Sequence, residues 1–121
     1  LDVVNDQVGQ PTWTKDVARM ILALINGDVR TGIFHATNSG HTTWHGFATT
    51  LFDLSGWDPG RVHPAATKDF PRPAPRPPWS VLGHTNWSEH SLPLPRSWDQ
   101  ALKEAWSDGL SAFALPEEKG L

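Results

Sequence analysis

The residue types that can do chemistry in this chain are concentrated in one short stretch near its start. The stretch reads Asp6-Gln7-Val8-Gly9-Gln10-Pro11-Thr12. Gln7 offers amide donors and an acceptor, which suit the polar edge of an amide-like ligand. Gly9 permits a positive φ and a close backbone approach, and Pro11 sets the direction in which the chain leaves the loop. Taken alone, these residues are typical either of a structural turn with a polar tip or of one wall of a binding site.

A second notable stretch is rich in proline. Residues 70–79 read Phe-Pro-Arg-Pro-Ala-Pro-Arg-Pro-Pro-Trp. Each proline lacks a backbone donor and biases its predecessor toward extended geometry, so this stretch is not a helix. It is either a stiff surface loop packed on the domain, or a proline-rich interaction module for the aromatic-lined groove of a partner.

Histidines and loop tryptophans are weaker candidates. His41 and His45 have a spacing that can place two imidazoles on one metal, but no carboxylate or third histidine stands at a suitable spacing. We therefore expect no metal site, and a polar helix start in which one imidazole packs on Trp44. A second set of aromatic residues either stacks on a flat ligand or seals loops against the core, and sealing is favoured. These residues are Trp13, Trp79 and Trp87.

Composition excludes several classes of function. The 121 residues suffice for one domain, and the net charge of -3 argues against nucleic-acid or acidic-membrane partners. No apolar run or leader pattern suggests a membrane or secretory segment, and the lack of cysteine fits a cytoplasmic protein. The chain has no dinucleotide-binding or phosphate-loop glycine motif, no nucleophile elbow and no tyrosine that could act as a general acid.

Three helices are predicted from apolar residues at helical spacing. The first is capped by Thr14, carries Asp16 in its first turn and ends at Asn26-Gly27; the second is capped by Thr43. The last is capped by Ser97 and ends near Gly109. The predicted core stripes are Val17, Met20, Ile21, Leu24 and Ile25; Trp44, Phe47, Ala48, Leu51 and Phe52; and Trp98, Ala101, Leu102, Ala105 and Trp106.

The remaining elements are short. We expect strands at residues 1–4 and 32–36, an extended segment at 61–67 limited to a sheet edge by Pro64, and a brief helix capped by Asn86. The predicted class is α/β, with three to four helices, two or three short strands and a proline-rich loop. Residues 1–113 form the domain and 114–121 a tail. Because so few strands make a poor sheet, part of this structure is expected to lean on something outside the chain.

Several stretches together resemble the C-terminal part of dTDP-4-dehydrorhamnose reductase, an extended short-chain dehydrogenase/reductase. They run from Val3 to Trp106, in the family's order and spacing. The stretches are VVNDQVGQPTWTKDVARMI, GIFHATNSGHTTWHGFA, VHPAATKDFPRPAPRPPWSVL and LPRSWDQALKEAW. Trp79 departs from the family, which more often has Asn there, and Phe34 stands where Tyr is frequent.

The resemblance implies that substrate binding and catalysis belong to different parts of the protein. The family's Rossmann core, its NADPH (or NADH) fingerprint and its Tyr-x-x-x-Lys catalytic pair belong to a preceding half that is absent from these residues. This chain would then be an inactive substrate lobe on its own, with no catalytic or cofactor-binding residue, and it would need that half as a partner. Whether the protein forms a homodimer stays open.

The resemblance also implies a ligand, a dTDP-sugar. Arg76, held between prolines, can bind pyrophosphate oxygens with both arms of its guanidinium. Gln7 and Thr12 can position polar atoms of sugar or base, and Trp79 or Trp13 can cover an apolar face. The substrate-binding residues expected from the resemblance are Gln7, Gly9, Pro11, Thr12, Arg76, Trp79 and Ser80. A non-catalytic relative that acts as a regulatory or scaffolding subunit is the alternative.

Overall fold

The computed structural model describes residues 1–113, so the predicted tail at 114–121 lies outside the described residues. It has α/β architecture, as predicted. The helices are α1 (Thr14–Asn26), α2 (Trp44–Leu54), α3 (Thr85–Glu89) and α4 (Trp98–Ser107). The strands are β1 (Asp2–Val4), β2 (Val8–Gly9), β3 (Thr42–Thr43) and β4 (His63–Ala65). Short 3-10 turns cover Pro59–Arg61, Thr67–Asp69 and Leu110–Phe113.

The four strands form two separate two-stranded sheets. β1 and β4 are parallel, with Val3 opposite Pro64, which confirms the edge position expected for this proline. β2 and β3 are antiparallel, with Val8 opposite Thr43. β2 lies within the stretch for which we expected only a loop. This second pairing therefore ties the polar stretch near the start of the chain to the beginning of α2.

The apolar core is contributed mainly by α1, α3 and α4. Its buried residues are Met20, Val62, Trp87, Ala101, Leu102 and Ala105. Trp87 is fully buried, and its indole Nε1 donates to the carbonyl of His35 at 2.9 Å, which confirms its predicted sealing role. The stripe predicted for α1 is partly wrong, because Ile21 and Ile25 are 48% and 70% exposed.

A buried polar cluster joins α1 to the chain that precedes α4. The Asp16 carboxylate accepts hydrogen bonds from Asn38 Nδ2 at 2.8 Å and from Arg96 Nε and Nη2 at 2.8 and 2.9 Å. Burial by itself would raise the pKa of the Asp16 carboxyl, but the hydrogen bonds from Arg96 and Asn38 and the charges of Arg96 and Arg19 hold that pKa below its ordinary value. Asp16 was predicted to complement the helix dipole; in addition, it holds two distant segments together.

The start of α1 differs from the prediction, and Asn38 takes part in it. The helix begins at Thr14 itself, so Thr14 is not the cap, and the residue at the capping position is Trp13. The backbone N–H of Trp13 donates to Asn38 Oδ1 at 2.9 Å. A side chain 25 positions away along the sequence therefore satisfies a donor at this helix start.

The segment at 32–36 is not a strand, in contrast to the prediction. Two of its carbonyls accept hydrogen bonds from side chains of α3 instead: Ile33 from Asn86 Nδ2 at 2.6 Å, and His35 from Trp87. Asn86 is not the helix cap, because α3 begins at Thr85 and its capping position is His84, two residues before the predicted one. Hydrogen bonds from two side chains of α3 therefore hold residues 32–36, in place of the expected ladder of backbone hydrogen bonds.

The other predicted helix boundaries are confirmed. Thr43 caps α2 by accepting from the N–H of Gly46 at 3.0 Å. Glycine is favoured at position 46, because a Cβ would clash with Thr42 Oγ1 and force that side chain to shift. α4 begins directly after Ser97, as predicted, but the prediction that the Ser97 side chain caps this helix is wrong, because it makes no capping hydrogen bond. Within the described residues, none of the helices is long and apolar enough to cross a bilayer.

We expect Arg96→Met to lower the free energy of unfolding by about 3 kcal/mol at pH 7, because it leaves the buried Asp16 charge without its main partner. Asp16→Asn combined with Arg96→Met should cost less than the sum of the two single changes, since neither charge is then left unpaired. Urea unfolding of the four proteins measures both effects.

The same pair makes stability depend on pH in a defined direction. Because folding lowers the pKa of Asp16 below 3.8, its contribution is complete above that pH and is lost as the pH falls through the folded-state pKa. The deficit of Arg96→Met should therefore shrink below about pH 3.8. Asp108→Asn, which opens the exposed Lys15–Asp108 pair, is the control and should leave the unfolding midpoint at pH 7 nearly unchanged. A deficit of equal size at pH 7 and pH 3 would contradict this account.

Candidate functional site

The polar stretch is held by hydrogen bonds on both sides. On one side, the N–H of Asn5 donates to the carbonyl of Ala65 at 2.9 Å. On the other side, the N–H of Val8 donates to the carbonyl of Pro78, and the N–H of Ser80 donates to the carbonyl of Val8, both at 2.9 Å. The stretch therefore joins the end of β4 to the proline-rich loop.

Asp6 and Gln7 both attach to the turn that follows β4. The Asp6 carboxylate accepts from the Thr67 N–H at 2.9 Å and from its hydroxyl at 2.6 Å. These hydrogen bonds hold the pKa of the Asp6 carboxyl below its usual value. Gln7 Nε2 donates to the same hydroxyl oxygen at 3.0 Å. Asp6 is thus a structural carboxylate that shares the Thr67 hydroxyl with Gln7.

Gln10 and Gly9 hold the proline-rich loop in place. The amide of Gln10 pairs with the backbone of Leu82, accepting from its N–H at 2.8 Å and donating to its carbonyl at 3.1 Å. A Cβ on Gly9 would lie 3.0 Å from Ser80 Oγ. Glycine is therefore favoured here by close packing. Glycine also permits a positive φ, but the φ of Gly9 is not positive.

Two neighbouring cavities lie beside the polar stretch and the proline-rich loop. The larger cavity, about 580 Å³, is lined by β1, the Thr67 turn and the proline-rich loop, including Phe70, Arg72 and Arg76. The smaller cavity, about 320 Å³, is lined by residues 7–11, by the start of α2 and by part of the proline-rich loop. Three side chains line both cavities: Gln7, Trp44 and Arg76.

Five of the seven residues predicted to bind substrate line the smaller cavity. They are Gln7, Gly9, Pro11, Arg76 and Ser80. Thr12 and Trp79 are not among its lining residues. Thr12 Oγ1 donates to the carbonyl of Gln10 at 2.9 Å and accepts from the N–H of Asn38 at 3.2 Å. Its hydroxyl is therefore engaged in holding the loop together.

Trp79 is 57% exposed, so the expectation that it seals the loop against the core is wrong. Its ring packs against the imidazole of His41, with centroids 5.1 Å apart. One imidazole of His41 and His45 was expected to pack on Trp44, but the ring of His41 packs on Trp79. His45 lies elsewhere, with Nε2 3.1 Å from the carbonyl of Val62. Trp13 is half-buried, and the guanidinium of Arg96 lies 5.4 Å from its ring centroid.

Two residues of the cavity walls were missed by the sequence analysis. Trp44 was predicted to be core, but it is 57% exposed and lines both cavities. Arg72 was not predicted to bind substrate. Like Arg76, it stands between two prolines, and this shared pattern could have identified it. The walls thus offer two guanidinium groups, an amide and a broad indole, a set that suits an anionic ligand with a flat apolar part.

Comparison with known proteins identifies relatives of this chain. Residues 1–110 match the family model described as the RmlD substrate binding domain. A probable dTDP-4,6-dihydroxy-2-methyloxan-3-one 4-ketoreductase of Streptomyces antibioticus is 48% identical over 99% of this chain and 41% of its own length. A dTDP-4-dehydrorhamnose reductase of Streptomyces griseus is 45% identical over 86% of this chain and 36% of its own.

A solved structure has the same fold. The dTDP-4-dehydrorhamnose reductase of Bacillus anthracis, crystallised in complex with NADP, superposes with a TM-score of 0.83 at 30% identity. The match covers 89% of this chain and 38% of that one, so the chain spans about two fifths of the length of the proteins it resembles. Since the family match extends over nearly all of its residues, this chain belongs to the RmlD substrate binding domain family.

Proposed function

We propose that this chain is the substrate-binding portion of an NADPH-dependent dTDP-4-dehydrorhamnose reductase. The whole enzyme reduces the C4 ketone of dTDP-4-dehydro-L-rhamnose to give dTDP-L-rhamnose, a precursor of cell-wall and surface polysaccharides. The observation that carries the proposal is the pair of adjoining cavities that share Gln7, Trp44 and Arg76, in a chain of this family.

The cavities suit the parts of a dTDP-sugar. Both volumes fall within the range of about 300–1,000 Å³ that is common for small-molecule sites. The exposed indole of Trp44 can cover a flat or apolar face of the ligand, and the guanidinium of Arg76 can bind phosphate oxygens with two parallel hydrogen bonds. Gln7, with Ser80 nearby, brings polar groups to the smaller cavity, where hydroxyls of the sugar need partners.

The described residues do not fit a nicotinamide dinucleotide. Its pyrophosphate needs a glycine-rich turn that leads from a parallel strand into a helix. Here β4 leads into the Thr67–Asp69 turn, and β1 leads into the Asp6–Gln7 stretch, which engages that turn. We therefore assign NADPH, which supplies the hydride when bound, to a Rossmann half outside these residues.

The resemblance to extended short-chain dehydrogenases/reductases implies a tyrosine as the proton donor. Since these residues contain no tyrosine, we assign the donor to the same half. The role left to these residues is to hold the ketosugar in a fixed position beside the nicotinamide. Such positioning is worth several kcal/mol of the reaction barrier. These residues alone should consequently bind the nucleotide sugar without reducing it.

Arg76→Ala should weaken dTDP binding by about tenfold or more, because a charge-assisted hydrogen bond to phosphate is lost. Isothermal titration of the full-length protein measures the affinity, and NADPH oxidation with dTDP-4-dehydro-L-rhamnose measures the turnover. Arg30→Ala removes an exposed arginine that lines neither cavity, and should change neither quantity.

The two measurements separate the proposal from its alternative. Full-length protein that binds dTDP but does not oxidise NADPH with the ketosugar would be a regulatory or scaffolding relative. Equal dTDP affinities for the wild type and Arg76→Ala would remove Arg76 from the site.

Trp44→Ala should weaken dTDP binding by about tenfold, in the range found when an aromatic side chain that stacks on a base is removed. Trp79→Ala is the matched comparison, because both indoles are 57% exposed but only Trp44 lines the cavities. We expect a smaller loss for Trp79→Ala. A larger loss for Trp79→Ala than for Trp44→Ala would mean that the indole at 79 covers the ligand.

A further inference from the structure

The proline-rich loop brings a second guanidinium to the larger cavity. Arg72 and Arg76 are four residues apart, and both line this cavity. Only Arg76 also lines the smaller one. Within residues 1–113, neither forms an ion pair, whereas Arg19 and Arg96 are both paired with carboxylates.

The loop restricts the backbone at both arginines before any ligand arrives. Prolines at 71, 73, 75 and 77 flank or separate the arginines and restrict the backbone. The far end of the loop is held by the backbone hydrogen bonds between Val8 and residues Pro78 and Ser80. A backbone ordered in advance loses less entropy when its side chains bind a ligand.

The balance of charge around the larger cavity favours an anion. Among its described lining residues, Asp2 is the one carboxylate, and its Oδ1 lies 3.4 Å from His63 Nδ1. Two guanidinium groups therefore face a single acidic side chain. Lys68 and Asp69 lie in the neighbouring turn, outside the cavity lining.

We propose that Arg72 is a second phosphate-binding residue of the nucleotide-sugar site, an inference that rests on the function proposed above. A diphosphate joins the nucleoside to the sugar, so it must lie where the two cavities meet. Arg76, which lines both, contacts the phosphate nearer the sugar. Arg72, which lines only the larger cavity, contacts the phosphate nearer the nucleoside, and the larger cavity holds that nucleoside.

The order of the two contacts can be tested with ligands that differ by one phosphate. Affinities of full-length protein for dTDP, dTMP and thymidine are measured by isothermal titration for the wild type, Arg72→Ala and Arg76→Ala. Arg72→Ala should weaken both dTDP and dTMP by about tenfold. Arg76→Ala should weaken dTDP by a similar factor but dTMP by less than about twofold, because dTMP lacks the phosphate that Arg76 contacts.

Further variants separate a phosphate contact from a structural effect. Neither arginine change should alter the thymidine affinity or the melting temperature. Arg72→Lys should recover part of the lost affinity, since it keeps the charge without the planar fork. Asp2→Asn should tighten dTDP binding, because it removes the carboxylate of the same cavity, and Arg30→Ala should have no effect.

Distinct results would overturn the inference. If Arg72→Ala changes the dTDP affinity by less than about twofold while Arg76→Ala weakens it, Arg72 is not a phosphate ligand, although the proposed function stands. If Arg72→Ala weakens dTDP but not dTMP, the order of the two arginines is wrong. If the wild type binds neither nucleotide, the proposed function fails, and this inference fails with it.

Discussion

The candidate site depends on the hydrogen bonds that flank residues 5–10. Strands as short as two or three residues are weak alone, but this segment is bonded on both sides. Asn5 and Asp6 attach it to Ala65 and Thr67, and Val8 and Gln10 attach it to Pro78 and Leu82. The two cavities lie along this segment. A loss of its pairing would separate the proline-rich loop, and with it the arginines, from the indole of Trp44.

This arrangement explains why so many hydrogen-bonding groups are concentrated near the start of the chain. Most of them serve the backbone: Asp6 holds the Thr67 turn, Gln10 holds Leu82, and Thr12 joins Gln10 to Asn38. Gln7, although also bonded to Thr67, is the polar side chain of this group that lines both cavities. The structural and the binding interpretations of the stretch are therefore compatible, because they apply to different residues.

The buried cluster of Asp16, Asn38 and Arg96 has a different role. It lies on the α1 and α4 side of the domain, where its ion pair and hydrogen bonds replace part of an apolar core that is small. Asn38 links the two regions, since it binds Asp16 through its side chain and Thr12 through its backbone. Stability and the position of the loop are thus coupled through one asparagine.

By itself, the sequence determined the features that depend on near neighbours along the chain. Helical spacing located α1, α2 and α4, and proline excluded helix from 70–79. The motif around Gln7, Gly9 and Pro11 indicated a candidate site and, together with the other matching stretches, the family. Tertiary structure alone decided that Trp44 is exposed on the cavities, that Thr12 is occupied with its own loop, and that residues 32–36 pair with side chains. The physical reason is distance along the chain: contacts that position the site, such as those of Gln7 and Gln10, join residues 60 and 72 positions apart. No local pattern of residues specifies such partners.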